Sequence, residues 1–434
     1  MGGAAPLGHD EARYATDTRQ LVRGEGKRYV YVPVGMNVIA TPGILMGGDE
    51  RALRFSSLLV GVLFLLAAWC LARRLTDPDS ARWVVGVLAG AHPMVRVSAD
   101  LLSDLPSAAC LLAALAILIP ELTRRADGPR PRIVAAAPLF AAAFYVRYGS
   151  CVTIAIVVVG SLIMGARAIA QRPAPVIAML SVLALLLVPH VVHSVAATGS
   201  PIGILLISAG VPGKAGEGLA TYLTGNVFAT YGVVVAPLMV AGLLKGRRDR
   251  TLVALQLIAL AQIVVLGLTT HGQSRFVVLA TVLLVIAGVD ASRRAITATT
   301  GRLAIVLATV ATIAVVASWV GGLYAGSRAP AARAAEYRPT IRAAAAIRAD
   351  AKGAACEVLG RQTAQLDWYT GCRSTLAVPA AAASGSMRVY AVRAEADGPR
   401  PAGFDSLPGV WCPIANVRTV EVVRLRPSST GCAT

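Results

Sequence analysis

Seven ionisable side chains draw attention, five of them at the ends of apolar stretches and two in the first loop. They are Asp10 and Glu11 near the front, Asp100 and Asp104 after one apolar run, Arg147 between two more, and His271 with Arg275 between a later pair. Ionisable groups at membrane depth are costly and therefore carry functional suspicion. The chemistry they could share is that of a phosphate-bearing lipid. Cations would hold the phosphate as it leaves, and a carboxylate would take a proton from an acceptor hydroxyl. Walker, GxGxxG, GxSxG and CxxC patterns and Cys/His metal spacing are all missing from the 434 residues.

The elements that must position these groups follow from composition. Hydrophobic residues make up 56% and charged residues only 15% of the chain, where a soluble domain carries roughly 25% charged. Apolar runs fall near 53–74, 82–98, 105–122, 132–147, 150–168, 175–197, 226–244, 251–270, 275–291 and 302–322. The expected fold is therefore a polytopic α-helical membrane protein with about ten spans. Residues 1–52 contain no run long enough to span and no signal-peptide core. His190 and His193, near the end of the sixth run, read as wet interface residues.

The net charge of +18 is mostly loop arginine and implies no nucleic-acid partner. Sixteen basic residues lie on one side: Arg73, Arg74, Arg82, Arg124, Arg125, Arg130, Arg132, Arg167, Arg172, Lys245, Arg247, Arg248, Arg250, Arg293, Arg294 and Arg302. The opposite loops between runs hold four: Arg96, Arg147, Lys214 and Arg275. A positive-inside bias makes the first side cytoplasmic, so residues 1–52, the candidate site and the C-terminal tail are expected outside.

The tail gives an independent indication. Cys70, Cys110 and Cys151 lie within apolar runs, whereas Cys356, Cys372, Cys412 and Cys432 lie in the polar tail. An even set in one soluble segment suggests two disulfides and an oxidising compartment. Of three connectivities, Cys356–Cys372 with Cys412–Cys432 is the expected one. A helix over Ala329–Ala351, a strand at Cys356–Leu359, a helix over Gln362–Thr370, and strands at Ser374–Val378, Met387–Val392 and Val417–Leu425 predict a small α/β domain. The expected domains are a first extracytoplasmic loop (1–52), a transmembrane domain (53–322) and an extracytoplasmic α/β domain (323–434).

Taken in order, several segments resemble motifs of the GT-C superfamily of membrane glycosyltransferases. The nearest branch holds the protein O-mannosyltransferases and the lipid A aminoarabinose transferases. His9-Asp10-Glu11-Ala12-Arg13-Tyr14-Ala15 is similar to the acidic first-loop motif, and Tyr29-Val30-Tyr31-Val32-Pro33-Val34-Gly35 to the loop's aromatic-proline segment. Asp49-Glu50-Arg51-Ala52-Leu53-Arg54-Phe55 resembles the start of the next helix. His92-Pro93, Ser98-Ala99-Asp100 and Leu102-Ser103-Asp104-Leu105-Pro106 resemble the second outer loop with its second acidic residue, and His271-Gly272-Gln273-Ser274-Arg275-Phe276 a later His/Arg element.

The resemblance implies an enzyme of the inner (plasma) membrane. It would move a sugar from a polyprenyl-phosphate donor to a glycan, lipid or protein acceptor. Asp10, with Glu11 beside it, would serve as base or acceptor-orienting group. Asp104, or less well Asp100, would fill the second acidic position, and Arg147, His271 and Arg275 would contact the donor phosphate. Assistance by a divalent cation is left open.

Two departures stand out. The family has a spanning helix before the acidic loop, whereas here the motif begins nine residues in, so a missing upstream helix is expected. The aminoarabinose branch has a lysine before the first-loop proline, where this chain has Val32. The competing readings are a secondary transporter or flippase, and a non-catalytic envelope assembly protein that uses its tail for binding.

Overall fold

The computed structural model describes residues 5–123, 130–209, 216–225, 227–245, 250–376, 387–394, 409–417, 420–426 and 432. Arg124, Arg125, Lys214, Arg247 and Arg248, and positions 377–378 and 418–419 of the expected strands, lie outside the described residues. The chain divides into two compact units. One comprises residues 30–39 and 54–327; the other comprises residues 1–29, 40–53 and 328–434.

The larger unit is helical. Across the described residues, six helices are long and apolar enough to cross a membrane: Glu50–Leu75, Asp104–Leu122, Ala174–Thr198, Arg250–Thr269, Ser274–Ala298 and the first part of Gly301–Ala351. Four shorter apolar helices accompany them, Val34–Leu45, Pro131–Val146, Ser150–Met164 and Val235–Lys245. The protein is thus a multi-pass membrane protein. Backbone N–H and C=O groups have no water to bond in hydrocarbon, and helices satisfy them internally.

Several expected elements differ, among them the run 302–322 and the helix Ala329–Ala351, which lie in one helix, Gly301–Ala351. The run 82–98 is two helices, Pro78–Gly90 and His92–Ala99. The break falls at Ala91, whose backbone is extended, because Pro93 disfavours a continuing helix. The run 226–244 is likewise two helices, Val227–Tyr231 and Val235–Lys245, parted at Gly232 with φ of 103°, a conformation glycine adopts without strain. Within the first 52 residues, Val34–Leu45 is an apolar helix of 12 residues, too short to span alone.

Helices in this unit pack closely through small residues. A Cβ added at Gly288 would strike the Leu238 carbonyl, which holds the helices Val278–Ala298 and Val235–Lys245 in contact. Helix Val278–Ala298 is buried continuously from Val278 to Ala291, the mark of a central helix. By contrast, the most apolar window of Gly301–Ala351 has no buried residue. It meets the unit through Trp319, whose Nε1 donates to the Gly86 carbonyl at 2.7 Å.

In the smaller unit a five-stranded sheet is built from β1 (Cys356–Leu359), β2 (Arg373–Thr375), β3 (Arg388–Ala394), β4 (Val410–Val417) and β5 (Val420–Arg426), in the order β2-β1-β3-β5-β4. The pairs β1–β2 and β1–β3 are parallel, and β3–β5 and β4–β5 antiparallel. Alternation sorts the strand residues to two faces. Val358, Tyr390 and Val422 pack with Ala343, Ile347 and Leu366 of the helices Gly301–Ala351 and Thr363–Thr370, while Leu359, Val389, Ala391 and Val423 form the opposite cluster. Disulfides join Cys356 to Cys372 and Cys412 to Cys432. Strand β4 was not expected from sequence; Pro413 interrupts its pattern, and a bulge between Pro413 and Ala415 accommodates the proline.

Candidate active site

Three helix ends build a charged cluster in the larger unit. Asp104 opens the helix Asp104–Leu122, where the exposed N–H groups favour a carboxylate. Arg147 follows the last residue of the helix Ala136–Val146, where the free carbonyls favour a cation. Arg275 sits in the tight turn Ser274–Val277 just before the helix Val278–Ala298.

The structure brings these three together. The Arg147 guanidinium is ion-paired with Asp104 Oδ1, and Arg275 Nε lies 3.7 Å from Asp104 Oδ2. The Asp104 side chain is 3% exposed, against 23% for Arg147 and 21% for Arg275. A carboxylate so buried needs compensating charge, and two arginines supply it. Planar guanidinium groups at helix ends present paired N–H donors of the kind that suit an anionic ligand.

Further residues hold the arginines in place. The Phe276 ring lies 4.6 Å from the Arg147 guanidinium and 5.6 Å from that of Arg275, within cation–π range. Arg275 Nε also donates to Gln273 Oε1 at 2.6 Å, and Gln273 Nε2 donates to His271 Nε2 at 2.8 Å. His271 meets Phe276 edge-on at 5.6 Å. His271 therefore joins the cluster through Gln273 and Phe276. Asp104, Arg147, Arg275 and Phe276 line a small cavity. Into it face Ser107 and Ser150, with hydroxyls 2.6 Å apart, and Gln262, which donates to the Phe276 carbonyl at 3.2 Å. Asp100 is buried four residues before Asp104, and its carbonyl accepts from Ser57 Oγ.

The other expected carboxylates belong to the smaller unit. Asp10 and Glu11 lie in the first turn of the helix His9–Val22. Glu11 is 1% exposed. Its Oε2 accepts from the Gly8 N–H at 2.7 Å and pairs with Arg333 Nη1 at 3.1 Å. Asp10 is half-buried. Neighbouring positions on a helix point about 100° apart, so the two acids meet different surroundings.

Buried Asp17 fixes the remainder of the loop by accepting from the backbone N–H groups of Arg28 at 2.7 Å and Tyr29 at 3.0 Å. The Tyr29 hydroxyl donates to Asp367, which also accepts from Arg28 Nε at 3.3 Å. Glu50 accepts from the Tyr369 hydroxyl at 2.9 Å. His9 Nδ1 donates to Gln365 Oε1 at 3.3 Å. Burial and the nearby Arg13 charge hold the His9 imidazole below its ordinary pKa, against the opposing effects of Gln365 and Asp10.

Sequence reading did not assign Gln273, Phe276, Gln262, Ser107 or Ser150. The legible signal was an isolated glutamine or serine within an apolar run. His190, expected at a wet interface, is buried edge-on against Phe144 and tilted against Tyr148, each 4.7 Å away, whereas His193 is exposed. The two histidines lie three positions apart on one helix, and only the first faces the aromatic cluster. Among the described residues no group of three His, Cys, Asp or Glu side chains is placed to hold a metal ion.

The model of the dolichyl-phosphate-mannose-protein mannosyltransferase family matches residues 32–193. No curated protein matches the chain. Among solved structures, the chain is similar to ArnT from Cupriavidus metallidurans bound to undecaprenyl phosphate, with 16% identity, 97% of this chain and 94% of that chain covered, and a TM-score of 0.69. For apo ArnT of the same organism the values are 14%, 99%, 96% and 0.71. The archaeal oligosaccharyltransferase AglB from Archaeoglobus fulgidus, in complex with an inhibitory peptide and a dolichol-phosphate, is similar at 11% identity over 89% of this chain and 66% of that chain, with a TM-score of 0.54. At these identities the likeness is one of fold.

Proposed function

We propose that this chain, a multi-pass membrane glycosyltransferase of the GT-C type, transfers a sugar from a polyprenyl-phosphate carrier to a glycan, lipid or protein acceptor on the extracytoplasmic side of the inner membrane. The observation that carries the reading is that buried Asp104 brings the guanidiniums of Arg147 and Arg275 together at the ends of apolar helices. That the similar solved structures of ArnT and AglB hold undecaprenyl phosphate and dolichol-phosphate supports it. The loop-arginine bias and the two tail disulfides support the sidedness.

In the proposed step an acceptor hydroxyl attacks the anomeric carbon. The bond from that carbon to the phosphate oxygen breaks, and the sugar is transferred with inversion. Arg147 and Arg275 stabilise the charge that gathers on the departing phosphate. Asp104 keeps both guanidiniums in place and is a positioning residue. Asp10 takes the hydroxyl proton, a role its half-buried carboxyl can fill. Glu11 orders the helix that carries Asp10.

The test is sugar incorporation from radiolabelled polyprenyl-phosphate sugars by purified protein in liposomes. Asp10→Asn is expected to lower transfer by about 10²-fold or more while leaving donor binding intact. Arg147→Ala is expected to weaken donor binding itself. Wild-type transfer by Asp10→Asn would remove Asp10 from the mechanism. Donor affinity unchanged in Arg147→Ala would remove the phosphate site.

A further inference from the structure

The smaller unit contains a cavity of about 500 Å³, within the size range of small-ligand sites. Its wall is formed by the end of the helix His9–Val22, the helix Thr363–Thr370 and the Cys356–Cys372 disulfide. None of its residues belongs to the Asp104 cluster. Five arginines line it: Arg19, Arg23, Arg28, Arg348 and Arg373.

Two acids, Glu25 and Asp367, also line it, so the lining carries an excess of three positive charges. The Asp367 carboxylate is already occupied. It accepts from the Tyr29 hydroxyl, the Arg28 guanidinium and the Ser374 N–H. Arg373 has a partner in Glu357 at 3.7 Å. Arg23 and Arg348 have no side-chain hydrogen bond or ion pair to any described residue, and both are exposed.

Arg19 is fixed in place. Its guanidinium lies 4.0 Å from the Trp368 ring centroid, and Nη2 donates to the Trp368 carbonyl at 3.0 Å. An arginine stacked on an indole loses little freedom on meeting a ligand. Planar guanidiniums bind carboxylate and phosphate through paired hydrogen bonds. Here a fixed arginine stands with two uncommitted ones around a chamber of sugar size.

We infer that this cavity binds a short acidic sugar segment of the acceptor, its oxyanion held by Arg19, Arg23 and Arg348. The inference rests on the transferase reading for the word acceptor, and on the cavity alone for the binding. The oxyanion is a phosphate or a uronate carboxylate, and binding measurements separate the two.

The experiment is calorimetric titration of the full-length protein in detergent with trigalacturonate, glucose 6-phosphate, inorganic phosphate and uncharged maltotriose. A charged probe is expected to bind, with affinity falling as salt rises, and maltotriose is not. The probe that binds names the anion. Arg23→Gln/Arg348→Gln, which alters only exposed side chains, is expected to weaken binding about tenfold. An unchanged affinity in that variant, or maltotriose binding as well as trigalacturonate, overturns the site. Sugar transfer with no charged probe bound overturns this inference alone. Charged-probe binding without sugar transfer overturns the transferase reading and leaves the cavity standing.

Discussion

The two units solve the same problem of charged side chains in different ways. In the helical unit, charge is scarce, and Asp104 is held by two arginines from distant parts of the sequence. In the sheet-bearing unit, charge is plentiful: Asp17, Asp367, Glu11 and Asp350 each meet arginine, lysine, tyrosine or backbone N–H partners. Desolvation makes an ionisable group in an apolar surrounding expensive, so each one retained there is informative. Where several buried acids each find partners close by, one more ion pair says little about function. The few buried charges of the first unit therefore make a short list of candidates, whereas the second needs geometry to choose among many.

The largest expected effect tests the scarce-charge side of this contrast. Asp104→Leu leaves Arg147 and Arg275 without their shared counter-ion. Removing one partner of a buried pair costs roughly 3–5 kcal/mol, and the partial exposure of both arginines reduces this to about 2–3 kcal/mol. Thermal unfolding in detergent should show the loss, and sugar transfer should vanish. Asp104→Leu/Arg147→Met should recover part of the stability and none of the transfer. A stable Asp104→Leu protein would break the comparison.

A second test addresses what stabilises the sheet-bearing unit. Its buried apolar residues are split between two faces of a small sheet, so covalent closure should carry weight there. The Cys356–Cys372 bond spans a separation of 16 residues, for which chain entropy gives about 3 kcal/mol. Cys356→Ser/Cys372→Ser should increase proteolysis of the C-terminal segment under mild denaturant while the helical unit resists. Equal loss in both would show that the units do not unfold separately.

Much of this contrast was legible in the sequence because hydrocarbon restricts what a chain can do. Apolar runs gave the helices, and Asp104, Arg147 and Arg275 were conspicuous among them. The two tail disulfides join the cysteines that stood apart in the polar segment. What escaped depended on tertiary contact. The Glu11 partner, Arg333, is 322 residues away. Gln273 and Phe276 could not be told from interface residues until Arg275 was seen against them. The helix break at Ala91 and strand β4 turn on prolines whose effect depends on the neighbouring backbone.

Adjacent acids offer a third, smaller test. Glu11→Gln weakens the Arg333 pair and the contact to the Gly8 N–H and should cost about 1 kcal/mol, with transfer reduced only in proportion to folded protein. Asp10→Asn should leave the unfolding temperature within experimental error and remove transfer. The two variants thus exchange stability for activity across one peptide bond. If both lowered transfer equally at equal stability, the distinction between helix-ordering and proton-accepting acid would fail.

The smallest effect concerns His9, whose folded pKa lies below the ordinary 6.5 because burial and Arg13 disfavour the charged ring. The unfolded chain therefore binds a proton more readily than the folded one, and stability falls as pH drops from 6.5 towards the depressed folded value. Below that value both states are protonated and the slope disappears. Because His9 donates to Gln365 in the same unit, the loss should appear as earlier release of the C-terminal segment in acid. His9→Gln keeps a donor without a titrating ring and should flatten the unfolding midpoint over this window. A wild-type slope retained in that variant would assign the acid sensitivity to another group.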